Sequence, residues 1–176
     1  MKTKILGVLG GIAILLSAGS VYAGGPPPKP EQISFTFTEV EVPINYDQGT
    51  CDPSFLPYPG EPACVAYASG EYTLAGDLVG TEFEEDSLAY FANGTLLFTG
   101  YGMYTGTLKG RGTGSFVALD YDGIATPSGV QTGKLRIVDG TGTGDLVGIS
   151  GSGSYAGPYP IPATMTVEFP GPPEHH

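Results

Sequence analysis

The chain lacks most of the side chains on which enzyme mechanisms are built. Its only histidines are His175 and His176, the last two of 176 residues, so a serine or cysteine nucleophile would find no imidazole base in the interior. The pair reads as a disordered tail or the remnant of a tag. Tryptophan is absent, and the cysteines number two, Cys51 and Cys64. Two thiols without an interior histidine do not complete a four-ligand zinc site. Lysine and arginine together number 7 against 18 aspartates and glutamates, a formal charge of −11. So acidic a surface argues against nucleic acid or anionic lipid as a partner, since both require a basic patch. No cofactor-binding pattern is found. Helical periodicity is missing throughout, and beyond residue 23 no apolar run is long enough to span a membrane.

The N-terminus does carry a pattern. Lys2 and Lys4 precede an apolar run from Ile5 to Leu16, and Val21-Tyr22-Ala23 offers small residues where a signal peptidase reads. Residues 1–23 therefore read as a secretory signal peptide cut after Ala23. The rival, an uncleaved anchor, would need a run of about 20 apolar residues. The expected location is secreted, periplasmic or extracellular. Removing Lys2 and Lys4 leaves five basic against 18 acidic residues, a formal charge near −13. In an oxidising compartment Cys51 and Cys64 are expected to pair, closing a proline-rich loop at 43–64. A Gly/Pro-rich leader covers 24–32, and a tail covers 170–176.

Between leader and tail the chain is rich in threonine, tyrosine, phenylalanine and valine, punctuated by glycine, asparagine and aspartate. That is the pattern of an all-β domain, expected over 33–169. Eight runs stand out, at 33–42, 65–80, 81–92, 95–108, 113–123, 129–139, 145–157 and 161–169. Asn93-Gly94 is a hairpin signal. A sandwich and a barrel are both open. Short connections and glycines inside the runs, which permit the bending that closure needs, favour an eight-stranded antiparallel β-barrel. Alternation puts Leu96, Phe98, Gly100, Gly102, Tyr104, Gly106 and Leu108 on one face of the fourth run. Phe116, Ala118 and Asp120 share a face of the fifth, with Val117, Leu119 and Tyr121 opposite. Both faces of that strand are apolar, so its outer face is expected to lie under a partner subunit or the long loop.

The motifs LAGDLVG (74–80), LFTGYGMYTGTLKGRGTGSF (97–116) and GTGTGDLVGISGSGSY (140–155) follow in order. Together they resemble an uncharacterised bacterial family of small proteins with the allene-oxide-cyclase-like barrel, whose glycine signature also marks plant dirigent proteins. The resemblance covers roughly 66–169. It implies an eight-stranded barrel, often oligomeric, and no agreed activity. It also implies a glutamate in the fourth strand, where this chain has Gly102, and a histidine near the end of the fifth, where it has Asp120 or a neighbour.

Other motifs have plainer readings. GVQTGKL (129–135) is one residue short of a phosphate loop, and Leu135 stands in place of its hydroxyl. DGTGTGDLV (139–147) is a single copy of a calcium-binding repeat that functions only when stacked, so Asp139 and Asp145 form at best a loose metal site. Glu82, Glu84 and Asp86 share a face of the third run, read as a solvated outer surface, with a weak cation site as the alternative. Three functional classes remain. The first is a binding module for a small apolar ligand, with Phe98, Tyr104 and Phe116 lining the lumen. The second is a scaffold acting through homo-oligomers. The third, less favoured, is a cofactor-independent cyclase or isomerase using Asp120 as acid or base.

Overall fold

The computed structural model describes residues 29–40, 47–48 and 62–171. The expected signal peptide, most of the leader and of the 43–64 loop, Cys51 and both histidines lie outside the described residues. The described residues form nine strands: β1 (Glu31–Val40), β2 (Asp47–Gln48), β3 (Cys64–Gly76), β4 (Leu78–Tyr90), β5 (Leu96–Leu108), β6 (Gly112–Ala125), β7 (Val130–Ile137), β8 (Ser150–Pro158) and β9 (Pro162–Phe169). Every pairing is antiparallel, in the order β1-β9-β8-β7-β6-β5-β4-β3-β2.

Closure comes from β1, which has two partners. Residues Glu31 to Thr38 pair with β9, and Phe37 to Val40 pair with the end of β3. The result is a closed eight-stranded barrel, with β2 a two-residue addition on β3. Two register shifts, between Phe98 and Gly100 and between Tyr121 and Ile124, bend the wall where β5, β6 and β7 meet.

The expected strands occur, with two displaced boundaries. The sequence pattern divides the second and third runs at Gly80, but the chain reverses at Asp77. Gly76 has φ +123°, a conformation that favours glycine. The Asp77 carboxylate then holds the reversal by accepting from the Thr36 N–H and from Lys109 Nζ. The start of the seventh run is not a strand: Gly144–Leu146 forms a single 3-10 turn. Leu146 and Ile149 are almost wholly buried and close one end of the barrel.

The lumen has two halves. Toward that closed end it is filled by Phe35, Phe37, Phe116, Met165, Val167 and Phe169. Tyr104 stacks on Phe116 at 4.9 Å between ring centroids and meets the edge of Phe37 at 5.7 Å. The half toward Leu96, Gln131 and Ile161 keeps a cavity. Leu146 floors the packed half, so Leu146→Ala is expected to lower stability by about 2–4 kcal/mol in urea unfolding. Val147→Ala, at an exposed neighbour, should change it by less than about 0.5 kcal/mol. Equal effects would show that the turn does not close the barrel.

Candidate functional site

The site begins with the register of β4. Side chains alternate across a strand, so a strand whose two ends are pinned has no freedom in between. Leu78 and Leu88 are both buried, ten residues apart. Everything at even positions between them must enter the lumen, and Glu82, Glu84 and Asp86 therefore point inward. The expectation of a solvated acidic face is overturned: Glu82 is 1% exposed, and Glu84 and Asp86 are half-buried. The outward member of the run is Glu85, which accepts a hydrogen bond from the Tyr101 hydroxyl.

Two further carboxyls join from other strands. Asp120, on β6, is 4% exposed. Glu39, near the end of β1, lines the cavity. Glycines make room for these groups. A Cβ at position 102 would lie 2.1 Å from Glu82 Oε1, so a carboxylate from the neighbouring strand fills the space where the resemblance implied a β5 glutamate. A Cβ at Gly133 would lie 2.1 Å from the Tyr155 hydroxyl. With that space open, Tyr155 reaches across to Asp120 and lies 2.9 and 2.8 Å from its two oxygens.

The cavity holds about 120 Å³ and is lined by Glu39, Glu84, Asp86 and Asp120, with Tyr72, Tyr104, Tyr155 and Tyr159 and an apolar wall that includes Leu88, Phe98 and Ile161. None of the described lining residues is basic. Desolvation therefore acts on the acids without a compensating cation, and disfavours their charged forms. Burial pushes Asp120 up to about 8, against the Tyr155 hydrogen bond, which pulls it down. Burial raises Glu39 to about 7, opposed by its hydrogen bond to Glu82. Glu82 and Glu84 are driven well above the usual carboxylate range by burial and then by neighbouring carboxylates. Asp86 rises to about 6, through burial moderated by a hydrogen bond with Glu84. Carboxyl–carboxyl hydrogen bonds need one proton between the partners. Glu82 Oε2 and Asp86 Oδ1, both buried, meet no donor from the protein, and a protonated acid removes the cost of leaving such an oxygen charged.

Of the residues expected to form a site, Asp120, Phe98 and Tyr104 line the cavity, while Phe116 is buried behind Tyr104 in the packed half. Asp139 and Asp145 are exposed, and Asp145 Oδ2 accepts the Thr113 N–H at 2.9 Å. Among the described residues, the acids that could share a cation are instead Glu84, Asp86 and Asp120, with one oxygen of each within 4.8 Å of the others. Cys64 is buried at the start of β3, and no described cysteine is a free thiol. Tyr155 and Glu39 were not singled out from the sequence. The signal that could have found Tyr155 is its alternation with Gly151 and Gly153 along one face of β8.

Acids whose folded pKa values are raised make stability fall as pH climbs. For Asp120 the contribution is fully present below about 3.8, the ordinary value, and is lost progressively as pH rises to about 8. Glu39 and Asp86 act in the same direction over windows ending near 7 and 6. The thermal midpoint is therefore expected to drop by about 5 °C or more between pH 5 and pH 8.5. Asp120→Asn should raise it at pH 8.5 by clearly more than at pH 5. A midpoint that climbs steadily across this range would show that the lumen acids are ionised in the folded state.

Comparison with known proteins adds a family and a fold. No curated protein matches the chain. A solved structure of a protein with unknown function from the DUF3224 family of Shewanella oneidensis MR-1 is similar, with a TM-score of 0.54 and 19% sequence identity. The match covers 82% of this chain and 99% of that one, a likeness of fold alone. The model of a family of proteins of unknown function, DUF3224, matches residues 56–158, more than half of the sequence, and the chain belongs to that family.

Proposed function

We propose that the protein is an exported binding module that holds a small hydrogen-bonding ligand in the acidic half of its barrel. The observation that carries this reading is the convergence of Glu84, Asp86, Asp120 and Tyr155 on one cavity of about 120 Å³. A dry cavity of about 150 Å³ accepts benzene, so the ligand is of about that size. The lining requires more than an apolar guest. A protonated acid donates and an ionised one accepts, so the fitting ligand presents both a donor and an acceptor to the acids and a flat apolar face to Phe98, which stacks on Tyr155.

A second reading has one specific observation in its favour. Asp86 and Asp120 face the same cavity, and near pH 7 the first is mostly ionised and the second mostly protonated. A base and an acid held a few ångströms apart can move a proton between two positions of one substrate. That is the chemistry of a cofactor-independent isomerase, and the resemblance to allene-oxide-cyclase-like barrels supports it.

Native mass spectrometry of protein purified from its own host should reveal a bound species of low mass, and Tyr155→Phe should weaken its binding about tenfold, the loss of one buried hydrogen bond. Recovery of an empty barrel, indifferent to ring-sized amines and phenols in titration calorimetry, would remove the binding reading. Incubating the identified ligand in D2O separates the two readings: deuterium entering a carbon position, and failing to do so with Asp120→Asn, marks an isomerase. Export and the disulfide have a common test. The intact mass of exported protein should correspond to a chain beginning at Gly24 with two hydrogens fewer than the reduced form. A chain retaining residues 1–23, or a mass showing both thiols, would contradict the respective part.

A further inference from the structure

The lumen holds more oxygen acceptors than its own donors can serve. Glu39, Glu82, Glu84, Asp86 and Asp120 come from β1, β4 and β6, and none of the described residues around the cavity is basic. Shared protons answer part of the need, joining Glu39 to Glu82 and Glu84 to Asp86. Tyr155 donates to Asp120. Two oxygens are left over: Glu82 Oε2 and Asp86 Oδ1 are buried and meet no donor from the protein. One proton serves one acceptor, whereas a hard cation such as Ca2+ gathers about six to eight oxygens at once.

Register brings both orphaned groups to the same place. Across β4, β5 and β6 the inward rows run Glu82–Tyr104–Phe116, then Glu84–Gly102–Ala118, then Asp86–Gly100–Asp120. The acids of the second and third rows line the cavity. Glu82 starts from the aromatic row beneath them and does not stay in it. Its Oε1 lies over Gly102, 2.1 Å from where a Cβ would be, which tilts the carboxyl up toward the Glu84 row. Asp86 Oδ1 lies in the same way over Gly100, 2.1 Å from its Cβ position. Glu82, 1% exposed, thus approaches from below the group formed by Glu84, Asp86 and Asp120, in which one oxygen of each lies within 4.8 Å of the others.

We infer that Glu84, Asp86 and Asp120 bind a divalent cation of the calcium type, with Glu82 beneath it as a fourth carboxyl. The inference rests on the reading of this cavity as a binding site, and names the species that its acids take. The donors are all oxygens, which select a hard ion. Among the described residues no histidine or free thiol lines the cavity, so zinc is disfavoured. A carboxylate can give one oxygen or two, and about 120 Å³ leaves room for water to complete the shell. Such an irregular shell suits Ca2+ better than Mg2+, which demands a near-ideal octahedron. Tyr155 is a positioning residue: stacked on Phe98, it fixes the Asp120 carboxyl through its hydroxyl.

Terbium, a calcium surrogate whose emission is excited through nearby aromatic rings, tests the site in full-length exported protein stripped with a chelator. The chain has no tryptophan, so sensitised emission must come from tyrosine. The expected result is saturable emission with one ion per chain, displaced by Ca2+ at lower concentration than by Mg2+. Glu84→Gln and Asp120→Asn should each weaken binding by about tenfold or more, since even a group that only orients a ligand is worth that much. Glu85→Gln, which faces outward on the same strand, should leave binding unchanged. At saturation Tyr155→Phe should dim the emission, and Tyr67→Phe, exposed on β3, should not. Thermal melts confirm that each variant folds. Emission that never saturates, or an equal loss with Glu85→Gln, would show loose cations on an acidic surface and overturns the proposal. Displacement by Mg2+ as readily as by Ca2+ overturns it too. A cation bound by a barrel that takes no organic guest supports the inference and leaves the small-ligand reading without its ligand. An organic guest in a barrel indifferent to terbium and Ca2+ overturns the inference alone.

Discussion

The fold and the site both depend on the strict alternation of side chains along strands that close on themselves. In an open sheet an acidic strand can turn its charges to water on one side. In a closed barrel the inner side of every strand is committed, and β4 is pinned at Leu78 and at Leu88. The three acids between them at even positions enter the lumen because the only alternative register would expose both leucines and bury Phe83 and Glu85 in their place. Burial of the acids is thus a consequence of anchoring the strand.

The lumen tolerates those acids through protons and hydroxyls. Among the described residues no basic side chain lines the cavity, so the acids share protons with one another or accept from tyrosine. The tyrosine positions are themselves set by the packed half. Tyr104 is held between Phe37 and Phe116, and its hydroxyl is directed at Glu82. Tyr155 lies on Phe98 and over Gly133, which aims its hydroxyl at Asp120. The aromatic layer therefore does more than fill space: it fixes the donors that determine how far each acid is perturbed.

Much of the barrel was legible in the sequence, because its inner faces are written in alternation. Phe98 and Tyr104 on β5, Ala118 and Asp120 on β6, and Leu135 and Ile137 on β7 all lie where period-two reading puts them. The acidic stretch of β4 is not legible as an inner face, because a cluster of charges ordinarily marks solvent and the sequence pattern puts a strand boundary at Gly80. With the reversal placed there, Leu78 belonged to a different strand and no longer fixed which face of β4 was inner. The turn at Gly144–Leu146 is hidden for a related reason: DLVGI alternates as a short strand would, yet Leu146 and Ile149 are buried as a stopper. Glu39 escaped notice because it stands next to Val40, where β1 leaves β9 and crosses to β3, and nothing local in the sequence shows which neighbour it faces.

That stopper decides how anything travels through the molecule. With Leu146 and Ile149 closing one end and an aromatic layer behind them, the lumen is a blind well rather than a tube. Among the described residues, the cavity lies toward Leu96, Gln131 and Ile161, away from that stopper. For the ligand proposed above, a blind well means that only a small head group is read, whatever chain trails from it.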